Sequence, residues 1–141
     1  MGEKGGTLVW FRRDLRLADH RALSAAVERG WVVPVFILDP STEEAGGAAA
    51  RWRLSQSLRS LADGVASKGG RLILRRGEAL PTLKALLDET GADAVFWSRR
   101  YDADGIAQDT EVKAALKAAS VRAESFTGTL LAEPFAVATQ A

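Results

Sequence analysis

Five strand-length runs, each separated from the next by a stretch of helical periodicity, leave this sequence few ways to fold. Residues 7–11 (Thr-Leu-Val-Trp-Phe) and 32–38 (Val-Val-Pro-Val-Phe-Ile-Leu) lack polar alternation, as strands covered on both faces do. Residues 71–76, 93–98 and 121–126 are the remaining candidate strands. The last is weaker in apolar character and reads as an edge. Helices are predicted at 20–29, at 48–67, in a segment with Pro81 in its first turn that ends at Gly91, and at 109–119. This alternation predicts an α/β fold: a five-stranded parallel, Rossmann-like sheet with helices on both faces, in a single domain.

Local signals set the boundaries. Asp19 is the candidate N-cap of the first helix and Gly30 its stop. In 48–67, Leu54, Leu58, Leu61 and Val65 share one arc, while Trp52 projects from the other side. Trp52 therefore folds against the polar loop 41–47 or belongs to a ligand pocket or domain interface. Val112, Ala115, Leu116 and Ala119 form the expected packing face of the last helix. Pro34 belongs near the start of its strand, because it cannot donate to a ladder. Residues 1–6 read as a flexible leader and 7–128 as the domain. Residues 129–141 have no convincing element, an ending natural to a domain cut at a linker.

Composition removes several function classes. Nineteen basic residues against eighteen acidic ones give a net charge of +1, so no global field points to nucleic acid. Without cysteine there are no disulfides, thiolate metal sites or cysteine nucleophiles, which fits a cytoplasmic location. No apolar run reaches membrane-spanning length. The Gly-rich dinucleotide fingerprint, the phosphate loop and the Ser nucleophile elbow are all missing from the sequence. His20 is the lone histidine and has no second ligand or nucleophile beside it, so it reads as structural. Neither a catalytic set nor a metal site is expected.

In a sheet of this type ligands bind outside the carboxyl ends of the strands, at the topological switch point. That rim carries residues 12–16, 39–44 and 99–104. Around Asp14 stand Arg12, Arg13 and Arg16. Either Asp14 pairs with one arginine and pins the loop, or the arginines face an anionic or aromatic ligand. The second loop, Arg99-Arg100-Tyr101-Asp102-Ala103-Asp104, sets an aromatic ring between cations and carboxylates.

The run Leu8-Val9-Trp10-Phe11-Arg12-Arg13-Asp14-Leu15-Arg16-Leu17-Ala18-Asp19-His20 resembles the opening of DNA photolyases and cryptochromes. Phe36-Ile37-Leu38-Asp39-Pro40, Arg51-Trp52-Arg53-Leu54, Leu74-Arg75-Arg76-Gly77, Arg99-Arg100-Tyr101 and Glu133-Pro134 continue the resemblance in order. It implies the N-terminal α/β domain of a light-driven DNA-repair photolyase, with 129–141 as the start of an interdomain linker. A larger helical domain, absent from these residues, would hold FAD, the damaged-DNA pocket and the electron-transfer tryptophans. The parent would split cyclobutane pyrimidine dimers with reduced FAD, and the fragment alone would be inactive. The alternatives are the same domain of a cryptochrome-type blue-light receptor without repair activity, or a purely structural interdomain module.

The resemblance also implies an antenna chromophore in the cleft facing the helical domain. Arg12, Phe36, Ile37, Arg51, Arg100, Tyr101, Asp102 and Asp104 are its candidate residues, with Asp14 and Arg16 as anchors of the loop. Folate-binding members carry Asn-Glu after the fourth strand. Asp104-Gly105 stands there in this sequence, with Asp102 or Asp104 as the available substitutes. An 8-hydroxydeazaflavin or flavin is therefore expected ahead of methenyltetrahydrofolate, with an empty site as the third case. Without the helical domain one wall of the pocket is missing, so chromophore retention should be weak or nil. The expected partners are the FAD-binding helical domain in cis and damaged DNA, which this domain should contact little. A dimer in isolation would form through the exposed domain interface, and no membrane is involved.

Overall fold

The structure, a computed structural model, describes residues 5–39 and 47–127. The expectations for 1–4, for most of the 41–47 loop and for the 129–141 linker lie outside the described residues. Five strands alternate with four helices: β1 (Thr7–Phe11), α1 (Arg21–Arg29), β2 (Val32–Leu38), α2 (Ala48–Ser67), β3 (Ile73–Arg76), α3 (Ala79–Thr90), β4 (Ala94–Ser98), α4 (Ala103–Ala118) and β5 (Arg122–Phe126). All pairings are parallel and the sheet order is β3-β2-β1-β4-β5, which makes β3 and β5 the edges. The chain reverses its direction of growth between β1 and β4. The switch point lies at their carboxyl ends.

Strand alternation divides the core into two layers. Leu8, Trp10, Val35, Ile37, Val95 and Trp97 face α3 and α4, where Leu83, Leu86, Val112 and Leu116 meet them. Val9, Phe11, Ala94 and Phe96 face α1 and α2, meeting Ala22, Ala26, Leu61 and Val65. Each large side chain fully buried in this way contributes roughly 1.5–3 kcal/mol. Trp10 and Trp97 sit side by side in register and pack edge to face, with ring centroids 5.6 Å apart. The β2–β3 ladder begins at Val35, one residue beyond Pro34, so the missing N–H falls ahead of it. Gly91 closes α3 at φ 78°, a left-handed position that suits glycine.

Several boundaries differ from the sequence reading. β3, β4 and β5 each start one or two residues later than expected. The first helix is capped by His20 instead of Asp19. Asp19 adopts φ 51°, outside the extended region that an N-cap residue needs. The last helix starts at Ala103, six residues before the expected 109, because Asp102 caps it and Gly105 is held inside its first turn. Ala119 is exposed, and Gly105 and Asp109 take buried places on the packing face with Val112 and Leu116. Among the described residues, no helix is long and apolar enough to cross a membrane.

Candidate functional site

Among the described residues, two loops and a cleft stand at the carboxyl rim. After β1 the chain turns at Asp14, whose Oδ1 accepts the Arg12 backbone N–H at 2.9 Å. Its Oδ2 lies 2.5 Å from Nε2 of buried His20, a close charge contact in which neither atom makes a hydrogen bond among the described residues. Burial alone would raise the Asp14 carboxyl. The polar contact with His20 and the Arg12 amide bond, with smaller contributions from the His20 charge and Ser98, outweigh it and hold the group down at about 2. Asp14 thus closes the loop through an imidazole and an amide. It does not pair with an arginine guanidinium. Arg16 lies over the same loop, its guanidinium donating to the Ala18 and Asp19 carbonyls.

The Arg12 guanidinium leaves its own loop. It donates to Asp109 on α4 at 2.7 and 3.3 Å, to Gln108 Oε1 at 3.2 Å and to the Ser98 carbonyl at 2.7 Å. It also lies over the Trp10 ring, 4.6 Å from its centroid. Only about a tenth of either side chain in the Arg12–Asp109 pair is exposed. The pair clamps α4 to the end of β1, so the expectation that Arg12 faces a ligand meets a guanidinium already engaged within the fold. Asp109 and Gln108 were missed at the sequence level. An acid in line with Gly105, Val112 and Leu116, at spacings of three and four, was the available signal.

The second loop closes on itself. Arg100 donates to both carboxylate oxygens of Asp102, at 3.0 and 2.6 Å, and Asp102 accepts from the Gly105 amide at 3.2 Å. The Arg100 bond foremost, with the amide bonds behind it, holds the exposed Asp102 carboxyl down at about 2. Asp104, exposed in the first turn of α4, complements the positive end of that helix. Tyr101 is half-buried between the paired residues. Arg99 runs to the other side, to Ser125 on β5.

A cleft of about 440 Å³ opens at the rim between the end of β2, the start of α3 and α4, lined by Asp39, Glu78, Leu80, Pro81, Gln108 and Glu111, with Ala79 and Val112. Asp39, from the rim segment 39–44 expected to meet a ligand, lines it; none of the eight named antenna candidates does. Phe36 and Ile37 are both buried and, as successive strand residues, face opposite sides of the sheet, so they do not line one cleft together. Arg51 is exposed on the first turn of α2, the helix that covers the other face. Trp52, 65% exposed, lies beside it. Arg12 reaches the cleft wall only through Gln108. Among the described residues no cluster of three or more His, Asp or Glu side chains could hold a metal ion.

Comparison with known proteins gives a consistent result. A family model described as DNA photolyase matches residues 7–141. A deoxyribodipyrimidine photo-lyase from Agrobacterium fabrum is 48% identical over 128 residues, covering 90% of this chain and 26% of the relative. The crystal structure of a bacterial class III photolyase from Agrobacterium tumefaciens superposes with a TM-score of 0.86 at 45% identity, over 94% of this chain and 28% of that one. An archaeal photolyase from Sulfolobus tokodaii, described with two FAD molecules and as implicating a novel light-harvesting cofactor, superposes with a TM-score of 0.79 at 28% identity. That match covers 86% of this chain and 29% of the archaeal one. The chain spans about a quarter of the length of these relatives.

Proposed function

The chain belongs to the DNA photolyase family, and from that premise we propose that it is the light-harvesting α/β domain of a DNA-repair photolyase, holding a planar antenna chromophore at the carboxyl rim of its sheet. The observation that carries the proposal is the open cleft between β2, α3 and α4. Its volume, about 440 Å³, suits a small ligand. Leu80, Pro81 and Val112 offer apolar contact to a flat ring, while Asp39, Glu78 and Glu111 can accept from ring N–H groups. Gln108 accepts from Arg12 through Oε1, which leaves its amide nitrogen to donate.

That lining suits the ring system of an 8-hydroxydeazaflavin, a flavin or methenyltetrahydrofolate. It disfavours a phosphate inside the cleft, which the three carboxylates repel. When bound, such a chromophore supplies blue or near-ultraviolet absorption and excitation energy for the reduced FAD that splits pyrimidine dimers in the whole enzyme. This chain's own residues bind, orient and shield. The Arg12–Asp109 clamp keeps Gln108 and Glu111 on the cleft wall. The helical domain in cis forms the facing wall of the cleft, and damaged DNA meets that domain. In isolation the same surface favours self-association.

The test is a titration of the gene-encoded polypeptide that contains this sequence with all three chromophores, followed by fluorescence and calorimetry. Saturable binding is expected, and Leu80→Trp, which plugs the cleft, should abolish it. Binding of none of the three overturns the proposal. Bound chromophore without dimer repair would identify a cryptochrome-type receptor instead.

A further inference from the structure

Arg99 is fixed by its backbone, whose N–H donates to the Phe126 carbonyl at 2.8 Å and holds the residue against the end of edge strand β5. Its guanidinium turns back to Ser125, with Nε 3.3 Å from Oγ and Nη2 3.4 Å from the carbonyl oxygen. Both bonds are long for N–H donors, which centre at about 2.9–3.0 Å. From α4, Lys113 donates Nζ to the same Oγ at 3.1 Å and lies over the Trp97 ring, 6.0 Å from its centroid. Two cations thus share one neutral hydroxyl. Neither is paired with a carboxylate among the described residues. Glu124, the neighbouring acid, alternates to the other face of β5, where Arg122 engages it. Trp97 stands in register with Ser125, fully buried, and its Nε1 has no acceptor among the described residues. This corner is rich in donors and short of acceptors. Like charges at such spacing repel, so the arrangement costs stability unless an anion joins them.

We propose that Arg99, Lys113 and Ser125 form a binding site for a phosphate-class oxyanion on the flank of α4 that faces β5. The guanidinium offers a planar fork and the ammonium a rotatable point charge. The Ser125 hydroxyl accepts from both cations in the structure described, and it turns to donate when an oxyanion takes that role. Both cations reach one atom, so a single tetrahedral anion can touch both. Arg99 is exposed and Lys113 half-buried, which leaves the site open to solvent on one side. It is distinct from the antenna cleft, which lies between α3 and α4 and carries the carboxylates of Asp39, Glu78 and Glu111. The inference goes beyond the antenna reading and stands without it. A phosphomonoester and the phosphodiester backbone of a nucleic acid both present the required chemistry.

The experiment titrates inorganic phosphate with the gene-encoded polypeptide that contains this sequence, against chloride of matched ionic strength, and follows binding by phosphorus NMR. Saturable broadening of the phosphate line is expected. Arg99→Gln and Lys113→Gln should each weaken binding roughly tenfold, as befits the loss of a charge-assisted hydrogen bond, and the double variant should abolish it. Without phosphate, Arg99→Gln should melt at or above the parent temperature, because it relieves repulsion; a merely structural Arg99 would lower it. A second arm measures the affinity of a short oligonucleotide with unphosphorylated ends. A fall in the double variant assigns the site to a phosphodiester backbone, and indifference assigns it to a monoester. No saturable broadening with the parent, phosphate binding that survives the double variant, or a lowered melting temperature in Arg99→Gln overturns the proposal.

Discussion

The loops leaving β1 and β4 carry the same local pattern, an arginine two residues before an aspartate, and the fold uses it in opposite ways. In the second loop Arg100 grips its neighbour Asp102, which caps α4, and the whole arrangement sits at the surface. In the first, the Arg12 guanidinium bypasses Asp14 and crosses to Asp109, 97 residues away, while Asp14 turns to His20 and to the Arg12 backbone amide. Spacing in sequence does not choose the partner. What decides is depth: Arg12 leaves a fully buried strand end beside Trp10 and needs a buried counter-charge, whereas Arg100 leaves the rim and is satisfied by the nearest carboxylate.

The comparison breaks most visibly at Asp109. Asp109→Ala strands the Arg12 guanidinium with its charge largely out of water, and a loss of about 3 kcal/mol is expected in chemical denaturation. The double variant Arg12→Met with Asp109→Ala should recover much of that loss, since it removes the charge together with its partner. A single variant as stable as the parent would mean that Ser98 and Gln108 alone hold Arg12. The clamp would then be no deeper than the surface pair.

The second effect is Asp14 and pH. Its carboxyl is held at about 2 in the fold, below the ordinary aspartate value of 3.8. A depressed carboxylate stabilises the protein fully above the unfolded value and loses that contribution as pH falls through the folded one. Stability should therefore drop by about 2 kcal/mol between about pH 4 and about pH 2 beyond what other carboxylates contribute, and Asp14→Asn should flatten that part of the profile. Equal curves for the two proteins would remove Asp14 from the list of anchors.

These contrasts explain what could be read in the sequence. The limits of β1, β2 and α2 were legible because unbroken apolar runs and a helical arc leave one arrangement, and Gly91 announced the end of α3. The chemistry of the rim was legible in kind, as arginines beside carboxylates, but not in pairing. Arg12 meets Asp109 only after α4 has packed on β4 and β5. Glu78 meets Gln108 and Glu111 only through the packing of α3 on α4. The start of α4 was hidden by Gly105, which reads as a breaker and is in fact the residue that lets Arg100 cross the first turn. The His20 cap was hidden because imidazole is a less familiar cap than the Asp19 beside it.

A smaller effect tests the surface member of the comparison. Asp102→Ala removes the N-cap of α4 and the partner of Arg100, both in contact with solvent. The expected cost is about 1 kcal/mol, most of it from the cap. Added salt should change that cost little, because an amide cap is screened less than an exposed ion pair. A cost equal to that of Asp109→Ala would erase the distinction between deep clamp and local cap.

The smallest expected effect is Gly105→Ala, where two principles oppose each other. Alanine is the better helix former by up to about 1 kcal/mol. Its methyl group, however, would lie 2.4 Å from Arg100 Cβ and 2.5 Å from Nε. The first of these atoms is the root of the side chain and cannot swing away without moving the loop. Overpacking of this kind costs about 1–3 kcal/mol; at the lower end of that range the gain in helix propensity nearly offsets it, and the balance should be a small net loss. The more telling readout is the Asp102 carboxyl. Displacing Arg100 removes the first cause of its low value, so its titration, followed by carbonyl NMR, should move from about 2 back toward the ordinary carboxylate range. If alanine stabilised the domain and left Asp102 unmoved, the second loop would have room to spare. Its closure would then be a habit of composition rather than a fit between Arg100 and the bare backbone of Gly105.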